Sequence, residues 1–227
     1  HCYMFNQPLN QWDVSSVTTM DGLFNSCSVF NQLLDSWDVS SVTTMVTTFG
    51  GTTAYNYPLD GWNVSNVTNM YRMFSSSGYN LPLNSWDVSS VQSMYGMFGS
   101  TPAFNQPLDT WDTSNVTNMG RMFEHTIAFN MPLNTFNTSK VTNMYGMFGG
   151  SKVFNQPLDT WDVSSVDGTL QWGGPVNNMG EVFKNALMFN QDLSMWCVSQ
   201  IPPTPYEFDL GASSWTLPRP VWGTCPD

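Results

Sequence analysis

One phrase is repeated along this chain, and it restricts the fold more than any other feature. Phe5-Asn6-Gln7-Pro8-Leu9-Asn10-Gln11-Trp12-Asp13-Val14-Ser15-Ser16-Val17-Thr18-Thr19-Met20 returns with small changes almost to the C-terminus. The aromatic residue before the Asn marks each start: Phe5, Phe30, Tyr55, Tyr79, Phe104, Phe129, Phe154 and Phe189. Successive steps are 25, 25, 24, 25, 25, 25 and 35 residues. A period this strict predicts a repeat solenoid, in which each unit buries its apolar face only against its neighbours.

The unit can be written F-N-Q-P-L-(N/D)-x-W-(D/N)-(V/T)-S-x-V-T-N-M-x-x-M-F, followed by about five small or turn-forming residues. Within W-D-V-S the Trp and Val stand two apart, which predicts a short strand with Trp and Val inward and Asp and Ser outward. Trp12, Trp37, Trp62, Trp86, Trp111, Trp161 and Trp196 hold the Trp position, and Phe136 replaces it once. Val17, Met20, Leu23 and Phe24 have helical spacing, so V-T-N-M-x-x-M-F predicts one helical or 3₁₀ turn. The expected architecture is right-handed and leucine-rich-repeat-like. It has about eight coils, each with one short parallel strand and one helical turn, and stacks over about 38 Å at about 4.8 Å per rung.

Two columns of side chains read as structural. Met20, Met45, Met70, Met94, Met119, Met144 and Met179 recur beside Phe and are core packers rather than a copper stripe. Asn6, Asn31, Asn56, Asn80, Asn105, Asn130, Asn155 and Asn190 occupy one slot without exception, which predicts an amide ladder bonded to turn backbone. The domain reading is a solenoid over residues 1–199 with a ten-residue insertion at 167–176. A Pro-rich cap over residues 200–227 covers the last coil. The insertion carries Trp172, a candidate interaction residue on a loop. The opening His1-Cys2-Tyr3-Met4 is no signal peptide and falls within a repeat, as in a processed or truncated piece of something longer.

Only 10% of residues are charged and the net charge is −11, with six Lys plus Arg. That balance repels phosphate backbones and anionic lipid heads, so no nucleic-acid partner is expected. No apolar run reaches the roughly 20 residues of a membrane span, so direct membrane insertion is not expected either. Cys2 and Cys27 hold the same position in adjacent coils, about 5 Å apart, and Cys197 and Cys225 join the last coil to the tail. Two end clamps, Cys2–Cys27 and Cys197–Cys225, imply an oxidising, extracellular compartment. Asn63, Asn66, Asn115 and Asn137 each head an Asn-x-Ser/Thr triplet and are candidate N-glycosylation sites, though a repeat rich in these residues also makes such triplets by chance.

The long phrase F-N-Q-P-L-N-x-W-D-V-S-S-V-T-N-M-x-x-M-F, met eight times over residues 5 to about 199, resembles the BspA-like leucine-rich-repeat surface proteins. It is closer to the variant repeat of mycoplasma lipoproteins and of secreted algal and protist proteins. The resemblance implies a secreted or surface-exposed solenoid connected with adhesion, with no catalytic residues to carry over. Phe136 and the Pro-rich tail depart from the pattern.

No chemistry stands out from the scaffold. Asp13, Asp38, Asp87, Asp112 and Asp162 repeat along the outward face, with Asn63 and Asn137 interrupting the row. Calcium suits such oxygens, but one Asp per rung does not bring five ligands together, so hydrogen bonding to turn N–H groups is the expectation. His125 is the only internal His and reads as a surface residue. Neither an enzyme, a cofactor nor a metal is expected. The leading expectation is a structural or adhesive extracellular module that self-assembles or meets a protein or glycan at a cell surface. A ligand-binding protein using the strand face, with Asp87 and Asp112 in its middle, is the alternative. The Thr18, Thr43, Thr68, Thr117 and Thr142 row suggests ice binding, but Gln92 interrupts it and the Asp row is a poor ice plane.

Overall fold

A computed structural model describes residues 2–168, 177–201 and 205–226. The repeats stack as coils, each hydrogen-bonded to the next about 25 residues on. Parallel bridges link Thr19 to Thr44, Thr44 to Asn69, Asn69 to Ser93, Ser93 to Asn118 and Asn118 to Asn143. Each is an isolated bridge, and the described residues contain no helix and no longer strand. The expected strand at W-D-V-S and the expected helical turn are both corrected by this geometry. The Asp of W-D-V-S bonds the Ser two residues on, as when Ser89 N donates to Asp87 Oδ1 at 3.0 Å, and this local turn breaks the extended run. The inter-coil ladder falls instead on the V-T-N-M segment.

Beyond each bridge the backbone makes a series of overlapping turns, best seen in the fourth coil. Met94, Gly96, Phe98 and Ser100 donate their backbone N–H groups to the next coil, to the carbonyls of Asn118, Gly120, Met122 and Glu124, at 2.6–3.0 Å. Met97, Gly99 and Thr101 donate back within the coil, to Met94, Gly96 and Phe98, at 2.9–3.1 Å. An α-helix would use all of these donors internally, and a plain strand would use none locally. The alternating pattern requires left-handed backbone twice per coil, four residues apart. Positive φ occurs at Gly22 and Ser26, Thr47 and Gly51, Arg72 and Ser76, Gly96 and Ser100, and Arg121 and His125. It continues at Gly146 and Gly150, Glu181 and Asn185, and Glu207 and Gly211. Bulky residues rarely adopt this region, so hydrogen bonds to both neighbouring coils must over-determine it at Thr47 and Arg72.

The core is built of columns. Phe24, Phe49, Phe74, Phe98, Phe123, Phe148 and Phe183 stack at centroid separations of 5.4–5.8 Å. The repeat-start aromatics form a second column beside it, with Phe123 only 4.1 Å from Phe129. Trp indoles tie the columns to the backbone: Trp111 Nε1 donates to the Leu83 carbonyl of the preceding coil at 3.0 Å. Phe136 lacks that donor. Trp12 belongs to the first described coil and is 60% exposed rather than inward. All seven methionines of the recurrent column are buried.

Tyr55 and Tyr79 replace Phe in the second column, and their hydroxyls are buried. The Tyr55 hydroxyl has no hydrogen-bond partner among the described residues, and burial pushes its ionisation far above the usual tyrosine range. An orphaned buried hydroxyl costs about 1–3 kcal/mol of desolvation. Tyr55→Phe is therefore expected to stabilise the protein by about 1 kcal/mol, a gain that chemical denaturation would detect. A loss of stability would show that the hydroxyl is satisfied in solution.

The two ends differ. Cys197 and Cys225 are joined by a disulfide. Cys2 and Cys27 are free thiols, the first exposed and the second buried, which corrects the expected N-terminal clamp. Equivalent side chains in stacked coils run parallel, about 4.8 Å apart, whereas a disulfide needs convergent Cβ atoms about 3.8 Å apart. Burial, then the neighbouring Cys2, pushes the Cys27 thiol up.

The tail behaves as a further partial coil. Glu181, Phe183 and Asn185 donate to the carbonyls of Tyr206, Phe208 and Leu210 at 2.8–2.9 Å, as each earlier coil does to its successor. Trp215 then meets Phe189 edge-on at 4.8 Å and Phe183 at 5.2 Å. These perpendicular rings end the stacked columns. Before the last full coil, the insertion leaves the ladder register intact: Met144 N donates to Asn178 O and Phe148 N to Val182 O, both at 2.9 Å.

Candidate functional site

Three features can be weighed as sites: the exposed Asp row, the sequons, and a partly buried wall of Tyr and Arg. The Asp row is self-satisfied. Asp38, Asp87, Asp112 and Asp162 each accept from the backbone N–H of the Ser two residues on, at 2.9–3.0 Å. Asn63 and Asn137 make the same turn with Ser65 and Ser139, at 3.2 and 3.1 Å. The side chains turn back onto their own coil, and no cluster of three or more metal-ligating residues occurs among those described. Asp87 and Asp112 are both exposed.

The predicted amide ladder is present. The side-chain carbonyl of Asn80 accepts from the Asn105 backbone N–H at 2.9 Å, Asn105 serves Asn130 at 3.0 Å, and Asn130 serves Asn155 at 2.9 Å. At the C-terminal end Asn190 accepts from Thr216 and Leu217 of the tail.

The four sequons divide into two pairs. Asn66 and Asn115 donate their amide nitrogens to the Ser40 and Ser89 carbonyls of the preceding coil, at 2.8 and 2.9 Å. Asn63 and Asn137 use only their carbonyl oxygens, so their amide nitrogens face outward unengaged among the described residues. A glycan replaces one of the two amide hydrogens, so on Asn66 or Asn115 it must leave the other to the inter-coil bond, and on Asn63 or Asn137 it meets no such constraint. Trp172 lies outside the described residues.

The Tyr and Arg wall is a feature that sequence reasoning passed over. It occupies the two variable positions of M-x-x-M-F: Tyr71-Arg72, Tyr95-Gly96, Gly120-Arg121 and Tyr145-Gly146. The Tyr71 and Tyr95 rings stack at 5.1 Å. The Arg72 guanidinium lies over both, 5.5 and 5.9 Å from their centroids, and Arg121 lies 5.0 Å from that of Tyr145. Gly96 makes this possible, because a Cβ there would stand 2.9 Å from the Arg72 Cγ. Arg121 is paired with Glu124 at 3.3 Å. Burial raises the Glu124 carboxyl above its usual range, with Arg121 opposing. The alternation of Tyr with Arg or Gly was the available signal, hidden because these positions vary within the repeat.

Comparison with family models matches residues 1–107, 75–172 and 171–217 to the family described as Mycoplasma protein of unknown function, DUF285. Together these segments span nearly the whole chain. The chain belongs to the DUF285 family. No curated protein matches it.

The Asp row gives this DUF285 chain a definite acid response. Hydrogen bonds from the neighbouring Ser hold Asp13, Asp38, Asp87 and Asp112 below the usual carboxylate range. A depressed folded value contributes stability above the unfolded value, about 4 for Asp, and loses it as pH falls through the folded one. Glu124 has the opposite sign but is a single group. The melting temperature is expected to fall below about pH 4. Replacing all four Asp by Asn should flatten that fall and keep the turns, because Asn63 and Asn137 already make them. An unchanged slope in the fourfold variant would remove the row from the account.

Proposed function

We propose that this chain is a non-enzymatic structural or adhesive repeat module, extracellular or held at a cell surface, with a leucine-rich-repeat-like solenoid as its scaffold. One observation supports it above the rest: the repeated polar groups are spent on neighbouring coils or on their own turns. The Asn side chains serve the next coil's backbone, the Asp side chains serve their own Ser, and the Trp indoles serve the preceding coil. Groups used this way build a regular surface and leave none in the convergent acid–base or nucleophile arrangement that catalysis needs. The Cys197–Cys225 disulfide supports an oxidising compartment, and the resemblance to BspA-like surface proteins agrees with it.

A second reading, recognition of a glycan or protein across the Asp face, is supported by the exposure of Asp87 and Asp112 in consecutive coils. The two readings separate in one experiment. Electron microscopy of the native material should show filaments, a lattice or cell-attached protein, and attachment should survive Asp87→Lys with Asp112→Lys. If those changes abolish attachment while Trp172→Ala leaves it intact, the Asp face is the site. Dispersed monomers that neither assemble nor attach would refute both.

A further inference from the structure

We propose that the hollow centred on Arg72 binds an acidic sugar, a carboxylate- or sulfate-bearing unit of a glycan chain. The inference deepens the adhesive reading and rests on it only for where the ligand comes from.

The hollow runs along the left-handed turns, well away from the Asp row. One compartment, about 280 Å³, is lined by Asn25, Thr47, Arg72, Ser75 and Ser76 among others. A second, about 240 Å³, shares Arg72, Ser75 and Ser76 and continues to Ser100, Arg121 and Glu124. Arg72 therefore stands between two adjoining compartments.

Its state distinguishes it from Arg121, which holds the same repeat position two coils on. Arg121 is neutralised by Glu124. Arg72 makes no ion pair among the described residues and is exposed. Its stem rests on Gly96 and its guanidinium over the Tyr71 and Tyr95 rings, so the planar fork is oriented without using a hydrogen-bond donor. Such a fork suits the two oxygens of a carboxylate or sulfate.

The surroundings decide the class of ligand. In the first compartment Arg72 is the one charged lining residue, set among hydroxyls and turn backbone. The Ser75 and Ser76 hydroxyls engage no protein group among the described residues, and the neutralised Arg121–Glu124 pair lines the second compartment. One charge set among hydroxyls matches one anionic group on a sugar ring that carries several hydroxyls. A densely charged polyanion such as nucleic acid needs many cations, and the net charge of −11 opposes it. The two compartments leave room for sugar units on either side of the charged one.

The test is titration of the intact chain by calorimetry with three probes: an oligogalacturonate, a sulfated galactan oligosaccharide and a neutral galactan oligosaccharide. One or both acidic probes should bind, more weakly at high salt, and the neutral probe should not. The two acidic arms tell a carboxylate source from a sulfate source. Arg72→Gln should weaken binding roughly tenfold or more, the loss expected for one charge-assisted hydrogen-bond pair. Arg72→Lys, which keeps charge but not the fork, should fall between. Lys152→Gln removes the same charge elsewhere and should leave binding unchanged. Binding of neither acidic probe, equal binding of the neutral one, equal affinity for inorganic sulfate, or an unaffected Arg72→Gln variant would overturn the proposal. Assembly or attachment that persists in such a case would leave the module reading standing, and its loss in the wild type would end that reading separately.

Discussion

Phe123→Ala is expected to destabilise the protein by about 3–5 kcal/mol, the cost of removing a fully buried ring from a packed column. Phe123 stacks 5.8 Å from both Phe98 and Phe148 and 4.1 Å from Phe129, and none of its surface is exposed. Because each coil meets only its neighbours, the loss weakens two successive interfaces and nothing beyond them. Denaturant unfolding should therefore change in shape as well as midpoint, with the two halves of the stack separating into distinct steps. Phe5→Ala, in a half-buried position at the edge, should cost far less. Equal costs for the two variants would mean that the aromatic columns do not hold the coils together.

Breaking the Cys197–Cys225 bond is expected to be the second large effect. The bond spans 28 residues, for which chain entropy alone predicts about 3–4 kcal/mol. The loss should be local. Trp215, Phe208 and Trp222 close the columns, and reduction or a Cys197→Ser, Cys225→Ser variant frees the segment that carries them. Hydrogen exchange should show early loss of protection at the amides of Glu181, Phe183 and Asn185, which donate to that segment. The amides of Met94, Gly96 and Phe98 should stay protected. Uniform loss along the chain would contradict nearest-neighbour stability, and a further loss in a Cys2→Ser variant would mean that the N-terminal thiols are bonded in solution.

Of the candidate surface, the Asp row and the sequons were visible in the sequence as residues but not as states. Asn63 and Asn66 head consecutive sequons of the same kind, yet one amide nitrogen faces outward and the other is bound to Ser40. Only the neighbouring coil makes that difference. Arg72 and Arg121 likewise look alike in sequence. The carboxylate that separates them is Glu124, three residues beyond Arg121, where the coil of Arg72 has Ser75.

The sequence by itself determined the period, the membership of each column and the Asn ladder. These depend on side-chain chemistry: an amide that must satisfy a backbone N–H, or a ring that must stack, tolerates few substitutes and so recurs in place. Tertiary structure decided where the backbone ladder lies, which residues take left-handed φ, and what the tail does. Backbone amides bond in the same way whatever side chain they carry. The left-handed positions could therefore hold Gly22, Thr47, Arg72 and Glu181 alike, and strain at the bulky ones is held by bonds from both adjacent coils. For the same reason the coil-to-coil ladder continues through Tyr206, Phe208 and Leu210 after the repeated phrase has ended.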